Sequence, residues 1–312
     1  MRKILIRAVL PLFGVLIVVY TVLIPRETIH RPNQPIEMNP ADVGLDYEDL
    51  VLQPSDQSLQ LAGWWMPAQQ PGASLVFVHG GGSNRHSKFF RALDFYRALV
   101  TRGISVLAID LRNHGASGSD GRGLGFGATE KYDAMAAIAW LRNKTPQLPV
   151  YAMGISMGGA TLIQAVSEGS KLDGLILLDP VLDTASTLTR GAHVETGLPA
   201  ALFQPAAWAA TTFYGLPGGN QQALDKARSL TTPTLLLQDP DDPVTAAEHA
   251  RSAAASNSVI TLWEAPTVDP DNPELPWRER WGSHVIAFTL FPQQTLQQIM
   301  DFIAVTGRPG QP

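Results

Sequence analysis

Apolar residues follow two rhythms along this chain. The runs SLVFVHG (74–80), ISVLAID (104–110), PVYAMGI (149–155), DGLILLD (173–179), TPTLLLQD (232–239) and SVITLWEA (258–265) are apolar without alternation. Strands buried on both faces read this way. Between them, apolar residues recur at helical spacing in RHSKFFRALDFYRALVTRG (85–103), TEKYDAMAAIAWLRNK (129–144), MGGATLIQAVSEG (157–169), VTAAEHARSAAA (244–255) and TLQQIMDFIAV (295–305). YEDLVLQP and SLQLAGWWMP, at 47–67, are short runs parted by a polar turn and predict a hairpin. Strands alternating with helices predict an α/β fold, with a mostly parallel sheet covered on both faces. From about 180 to 229 the rhythm breaks. This Ala-, Pro- and aromatic-rich stretch predicts one or two short helices inserted over the sheet edge after the sixth strand.

The first residues carry a different pattern. After Arg2, Lys3 and Arg7 come 18 uncharged, mostly apolar residues, Ala8 to Pro25. As a helix they would be about 27 Å long, close to the thickness of a bilayer's hydrocarbon core. The expectation is a transmembrane signal-anchor at 8–25, with residues 1–7 in the cytoplasm and the rest outside it by the positive charge preceding the run. Secretion after signal cleavage is the alternative, and the run lacks the small-residue cleavage pattern. Residues 26–44, rich in Pro and Asn, read as a linker, and the domain then runs over 45–312.

With 45% hydrophobic and 16% charged residues, the chain is too apolar for disorder. A net charge of -5 with no basic stripe argues against nucleic acid as a partner. With no cysteine, disulfides, thiol catalysis and thiolate metal sites are excluded. No histidine stands in a metal-binding spacing, so neither metal nor cofactor is expected. GLGFGA (123–128) matches a dinucleotide-binding pattern but follows a loop rather than a strand, and is set aside.

The chemistry concentrates at Gly154-Ile155-Ser156-Met157-Gly158, between a predicted strand and a predicted helix. Ligands of open parallel sheets bind beyond such strand ends. A turn this sharp brings strand and helix backbones so close that side chains at 154 and 158 would clash. Glycine at both removes the clash and leaves Ser156 exposed at a helix N-terminus. A serine hydroxyl is a poor nucleophile near neutral pH and needs a general base, usually a histidine held by a carboxylate. It also needs backbone donors aimed at the developing oxyanion. His79-Gly80-Gly81-Gly82 ends another strand, and the N–H groups of Gly81 and Met157 are the candidate donors.

VFVHGGGSN, VLAIDLRNHGASG, VYAMGISMGG, TLLLQDPDDPV and GSHVIAF come in one order along the chain. In that order they resemble the α/β-hydrolase superfamily, over roughly Leu45 to the C-terminus. The opening hairpin resembles that of a membrane-tethered or secreted subgroup of serine esterases and peptidases, with Asp56-Gln57 where Asp-Gly is usual. The resemblance implies an α/β-hydrolase fold with a helical cap insertion. It also implies an acid after TLLLQ and a histidine near the last helix. Asp242 is the first choice of acid, with Asp239 and Asp241 as rivals and Asp179 a more distant one. His284 is the expected base. His79 and His114 are expected to brace loops. Phe203, Trp208, Phe213 and Tyr214 of the insertion could line an acyl channel or merely pack it down.

The expected activity is hydrolysis of a small-molecule carboxylic ester through an acyl-enzyme on Ser156. Amide hydrolysis on the same residues is the alternative. A tethered binding protein without activity has no physical need of the serine, histidine, acid cluster and glycine loop together.

Overall fold

The computed structural model describes residues 11, 13–56, 59–278 and 281–307. Eight strands form one sheet in the order β1-β2-β4-β3-β5-β6-β7-β8. They are β1 (Glu48–Leu52), β2 (Leu61–Met66), β3 (Ala73–Val78), β4 (Ile104–Ile109), β5 (Val150–Ile155), β6 (Gly174–Leu178), β7 (Thr234–Gln238) and β8 (Ile260–Glu264). β1 and β2 are antiparallel, β2 runs antiparallel to β4, and every later pairing is parallel. β3 through β7 are buried along their whole lengths. Helices cover both faces, which is why these strands are apolar without alternation. Gln57, in the hairpin turn, lies outside the described residues.

The main helices are α1 (Ala92–Val100), α2 (Lys131–Lys144), α3 (Met157–Ser167), α4 (Thr184–Thr196), α5 (Gln204–Phe213), α6 (Ala247–Ser256) and α7 (Pro292–Thr306). One core, under α2 and α3, joins Val76, Leu107, Ile138 and Ile163. The other joins Phe77, Phe90, Phe95, Tyr96 and Phe288, whose rings meet at 5.0–6.4 Å under α1 and α7. Helices α4 and α5 form the cap between β6 and β7, where the strand rhythm stops.

No helix among the described residues is long and apolar enough to cross a membrane. This overturns the expectation of a transmembrane anchor at 8–25. The single-pass topology and the placement of the domain outside the cytoplasm fall with it. Residues 8–10 and 12 of that stretch lie outside the described residues. The remainder is helical from 13, passes through a π-helical turn at Val19–Leu23 and ends in a helix at Ile24–Ile29. That end packs against α5 of the cap. Tyr214 donates its hydroxyl to the Thr21 carbonyl at 2.9 Å, and Pro25 and Ile29 are buried. Hydropathy reports that a segment wants an apolar partner, and part of this partner is protein.

The chain continues past Ile29 as an irregular strap over residues 30–39. Its composition predicts a linker, and it carries no helix or strand until Pro40. It is nevertheless fastened to the domain. Leu124 N–H donates to the Ile29 carbonyl at 2.9 Å, and Asn33 Nδ2 donates to the Gly115 carbonyl at 2.6 Å. Asn84 Nδ2 donates to the carbonyls of Gln34 and Pro35.

Backbone packs tightly against backbone where β5 meets α3. A Cβ on Gly154 would stand 2.4 Å from the Gly158 carbonyl oxygen, and one on Gly158 would stand 2.3 Å from the Val78 carbonyl oxygen. Both obstacles are backbone and cannot turn aside. Gly158→Ala should therefore cost at least about 1–3 kcal/mol, the usual range for overpacking. At about 2–4 °C per kcal/mol for a domain of this size, thermal denaturation should show a clear loss of Tm. An unchanged Tm would contradict this packing.

Candidate active site

Ser156 caps α3 with φ +51° and ψ -118°, a conformation that L-residues rarely adopt. Backbone bonds hold it there. Its N–H donates to the Leu178 carbonyl at 2.9 Å, and its carbonyl accepts from Gly159 N–H at 3.0 Å and Val181 N–H at 3.1 Å. The hydroxyl is thereby turned out beyond the carboxyl ends of the strands.

His284 approaches from the loop before α7, 128 residues away in sequence. Its Nε2 lies 3.0 Å from Ser156 Oγ, and its Nδ1 lies 2.7 Å from Asp242 Oδ2. With Nδ1–H donating to the carboxylate, Nε2 is left to accept from the serine hydroxyl. Both His284 and Asp242 are buried. The Arg278 guanidinium donates to the His284 carbonyl and pins the loop from the other side.

Asp242 is held by several donors at once. Its Oδ1 accepts from the N–H groups of Val244 (2.6 Å) and Thr245 (3.0 Å). Its Oδ2 accepts from Thr245 Oγ1 (2.6 Å) as well as from His284. Burial opposes its charge, but the imidazole and the hydrogen bonds outweigh burial, and its pKa lies below the ordinary carboxyl value. The rival acids stand elsewhere. Asp241 is exposed. Asp239 is buried and accepts from Asp241 N–H at 3.1 Å; burial raises its pKa to about 6. Asp179 comes close to the pair but bonds to backbone, accepting from Asp239 N–H (2.7 Å) and Val285 N–H (2.9 Å). Burial, with the charges of Asp242 and Asp239, pushes its pKa well up.

The glycine loop after β3 faces the serine. A Cβ on Gly80 would meet Ser156 Cβ at 3.3 Å, and one on Gly81 would meet Met157 Sδ at 3.3 Å. Gly82 N–H is already engaged, donating to His114 Nε2 at 3.1 Å. His114 Nδ1–H donates in turn to the Arg112 carbonyl at 2.7 Å. His79 accepts from Leu111 N–H at its Nε2 (3.0 Å) and donates from Nδ1 to the Gly80 carbonyl (2.7 Å). Burial lowers the pKa of both rings, most strongly at His79, so both brace the loop as neutral imidazoles. Asp110 supports the same loop, accepting from Arg85 N–H at 2.6 Å.

Ser156, His284, Gly81 and Met157 all line one cavity of about 570 Å³. Its apolar wall comes from Leu124, Phe126, Val181, Leu188, Ala192 and Val244. Phe203, Trp208, Phe213 and Tyr214 are not among its lining residues. Phe203 is buried against the N-terminal helix, Trp208 and Phe213 face outward edge to face at 5.4 Å, and Tyr214 bonds to Thr21. The insertion therefore reaches the cavity through α4, and its aromatic residues pack the cap. Leu124 and Phe126 belong to the glycine-rich GLGFGA stretch. Gly125 and Gly127 donate their N–H groups to the Glu130 carboxylate at 2.6 and 3.0 Å, so this loop closes on its own side chain and not on a phosphate.

The residues with no sequence signal are those of the strap. Thr28, Arg31, Pro32, Gln34, Pro35 and Glu37 form one side of the cavity mouth. Asp179, Asp242 and His284 offer ligand atoms within 4.8 Å of one another. His284 Nδ1 already bonds Asp242, and both Asp179 oxygens accept backbone N–H groups, so these ligand atoms are engaged within the protein and make a poor cation cradle.

A model of the serine aminopeptidase S33 family matches residues 69–208. Rat monoglyceride lipase is 28% identical over 150 residues, 46% of this chain and 48% of that protein. Phospholipase YtpA of Bacillus subtilis is 30% identical over 122 residues, 38% of this chain and 44% of that protein. The chain thus spans about half the length of the curated relatives it matches. The esterase Pf2001 of Pyrococcus furiosus superposes with a TM-score of 0.72, at 22% identity, over 90% of this chain and 98% of that one. That likeness is one of fold.

Asp239 gives a pH signature. Its folded pKa, raised to about 6, lies above the unfolded value, so the folded state holds the proton more tightly. Its contribution to stability is present below the unfolded pKa and is lost as pH rises through about 6. Asp239→Asn should flatten the fall in Tm between about pH 4 and pH 7 relative to the unsubstituted chain. Parallel Tm curves for the two proteins would contradict it.

Proposed function

The chain has the α/β-hydrolase fold, and we propose that it is a serine hydrolase that cleaves carboxylic esters through an acyl-enzyme on Ser156. The single observation carrying this reading is the continuous path from Ser156 Oγ to His284 (3.0 Å) and on to Asp242 (2.7 Å).

The steps follow from the donors and acceptors. Asp242 holds His284 in the tautomer with its proton on Nδ1, leaving Nε2 as base. As Ser156 Oγ attacks the acyl carbon, its proton passes to Nε2, and the buried carboxylate stabilises the imidazolium. The N–H groups of Gly81 and Met157 stabilise the oxyanion at the N-terminal end of α3, where the helix dipole favours negative charge. The alcohol leaves with the proton from Nε2. Water then attacks the acyl carbon and gives a proton to the same nitrogen; as the bond to Oγ breaks the acid is released and Ser156 Oγ takes the proton back from Nε2. No cofactor or metal takes part in any step.

The substrate is a small ester with a short or medium acyl group, seated against Leu124, Phe126, Val181 and Leu188. The matched relatives, monoglyceride lipases and a phospholipase, act on lipid esters and lean the same way. Amide hydrolysis on the same residues is the second reading, since the matching family model describes a serine aminopeptidase. An aminopeptidase needs a carboxylate available for the substrate's α-ammonium. The two carboxylates lining the cavity, Glu37 and Glu195, are each ion-paired at 2.7 Å, with Lys88 and Arg31. The apolar wall of the cavity and the lipid-ester relatives favour the ester.

On a panel of p-nitrophenyl esters beside aminoacyl p-nitroanilides, the chain should turn over the esters with the higher kcat/KM. Ser156→Ala should lower ester kcat about 10⁴-fold or more, and Asp242→Asn by roughly 10³- to 10⁴-fold through loss of the useful tautomer. Full activity in folded Ser156→Ala would refute the nucleophile. A higher kcat/KM for the anilides would move the activity to amides.

A further inference from the structure

The cavity mouth is crossed by an ion pair between segments 164 residues apart. Arg31, in the strap, places its guanidinium 2.7 Å from the Glu195 carboxylate on α4. The Arg31 Nε donates to the Thr28 carbonyl at 3.2 Å, which turns the side chain toward α4. Its stem lies over the glycine loop: a Cβ on Gly82 would stand 3.7 Å from both Arg31 Cβ and Cγ. Gly82 follows Gly81, one of the two proposed oxyanion donors. Arg31 and Glu195 both line the cavity that holds Ser156. The pair thus runs from above the glycine loop to the cap, at a partly exposed edge of the cavity that holds Ser156.

The backbone beneath Arg31 is fixed at both ends. Upstream, Ile29 is buried, and a Cβ on Gly123 would stand 2.6 Å from its carbonyl, so the strap and this loop are in direct contact. Downstream, Asn84 Nδ2 donates to the carbonyls of Gln34 and Pro35. A chain held on both sides cannot swing aside to let a bulky group past. The ion pair itself can open. Its side chains are about one-third exposed, 33% and 34%, where water screens the attraction and pairing adds little to folding stability.

We propose that Arg31 and Glu195 form a bar that sets the bulk of the group admitted to Ser156, making both specificity-determining residues. The proposal rests on Ser156 as nucleophile but not on the preference for esters. Removing either side chain clears the bar and admits longer groups, whatever bond is cleaved.

Fluorophosphonates test it, because they report access to the serine without requiring turnover. The second-order labelling rates of a small probe (ethyl) and a long-chain probe (dodecyl) are measured on the full chain, on Arg31→Ala and on Glu195→Ala. A third variant combines Arg31→Glu with Glu195→Arg. The ratio of long-chain to small-probe rates should rise by at least about fivefold in each single variant, within the range that pocket contacts discriminate. It should return toward the original ratio in the charge-swapped variant, which also shows that the fold tolerates change at both positions. If the original chain reacts with both probes but the ratio stays the same in the variants, the bar is wrong and the nucleophile stands. A uniform fall in both rates would assign the pair to the fold and overturn the proposal. A chain that reacts with neither probe would overturn the nucleophile, and the bar with it.

Discussion

The site depends on one strained turn. Ser156 holds φ +51° because the neighbouring backbone leaves no room for another path. The helix it caps starts within contact distance of β3 and β5, and only glycine at 154 and 158 permits that approach. An isolated residue would relax from this conformation at a gain of about 1–3 kcal/mol. Here it is locked by bonds to Leu178 and Val181, at the end of β6 and just beyond it. The serine's direction is therefore a property of the whole sheet. Anything that separates β5 from its neighbours also misaims the hydroxyl.

The same device recurs on the partners. Asp179 and Val285 also hold positive φ, at +42° and +53°, although neither is glycine. One carboxylate links them: Asp179 receives Val285 N–H at one oxygen and Asp239 N–H at the other. It thus joins the end of β6 to the loop that brings Asp242 and to the loop that brings His284. A β-branched residue such as Val285 adopts a left-handed backbone only under constraint. That constraint places the imidazole between Ser156 and Asp242. The buried Asp179 is a structural clasp beside His284 and Asp242, and burial is the main reason it resists ionisation.

What the sequence reveals follows the range of the physics. The parallel sheet was legible because burial on both faces writes itself locally, strand by strand. Ser156 was legible because the glycines that make room for it lie two residues away on either side. His284 and Asp242 came from resemblance, with Asp239 and Asp241 kept as rivals because three acids in four residues carry no directional information; in the structure it is Asp242 that bonds His284. The place of the cap was legible, but whether its aromatic residues line the cavity or pack the insertion stayed open, because the side of a short helix that faces a cavity depends on docking. The N-terminal run was misread for the same reason. Its hydropathy matches a bilayer, while Tyr214 and the cap supply part of its surroundings. Arg31 and Glu195 lie in unpatterned polar surroundings, and nothing local pairs them.

The central claim is that a covalent bond forms at Ser156 Oγ during turnover. The direct measurement is peptide mass spectrometry of the chain quenched in acid within milliseconds of mixing with a short-chain p-nitrophenyl ester. The account predicts the acyl mass on the peptide containing Ser156, lost again on a longer delay. Turnover of the ester with no acyl group on that peptide, or with one on a different residue, would contradict it.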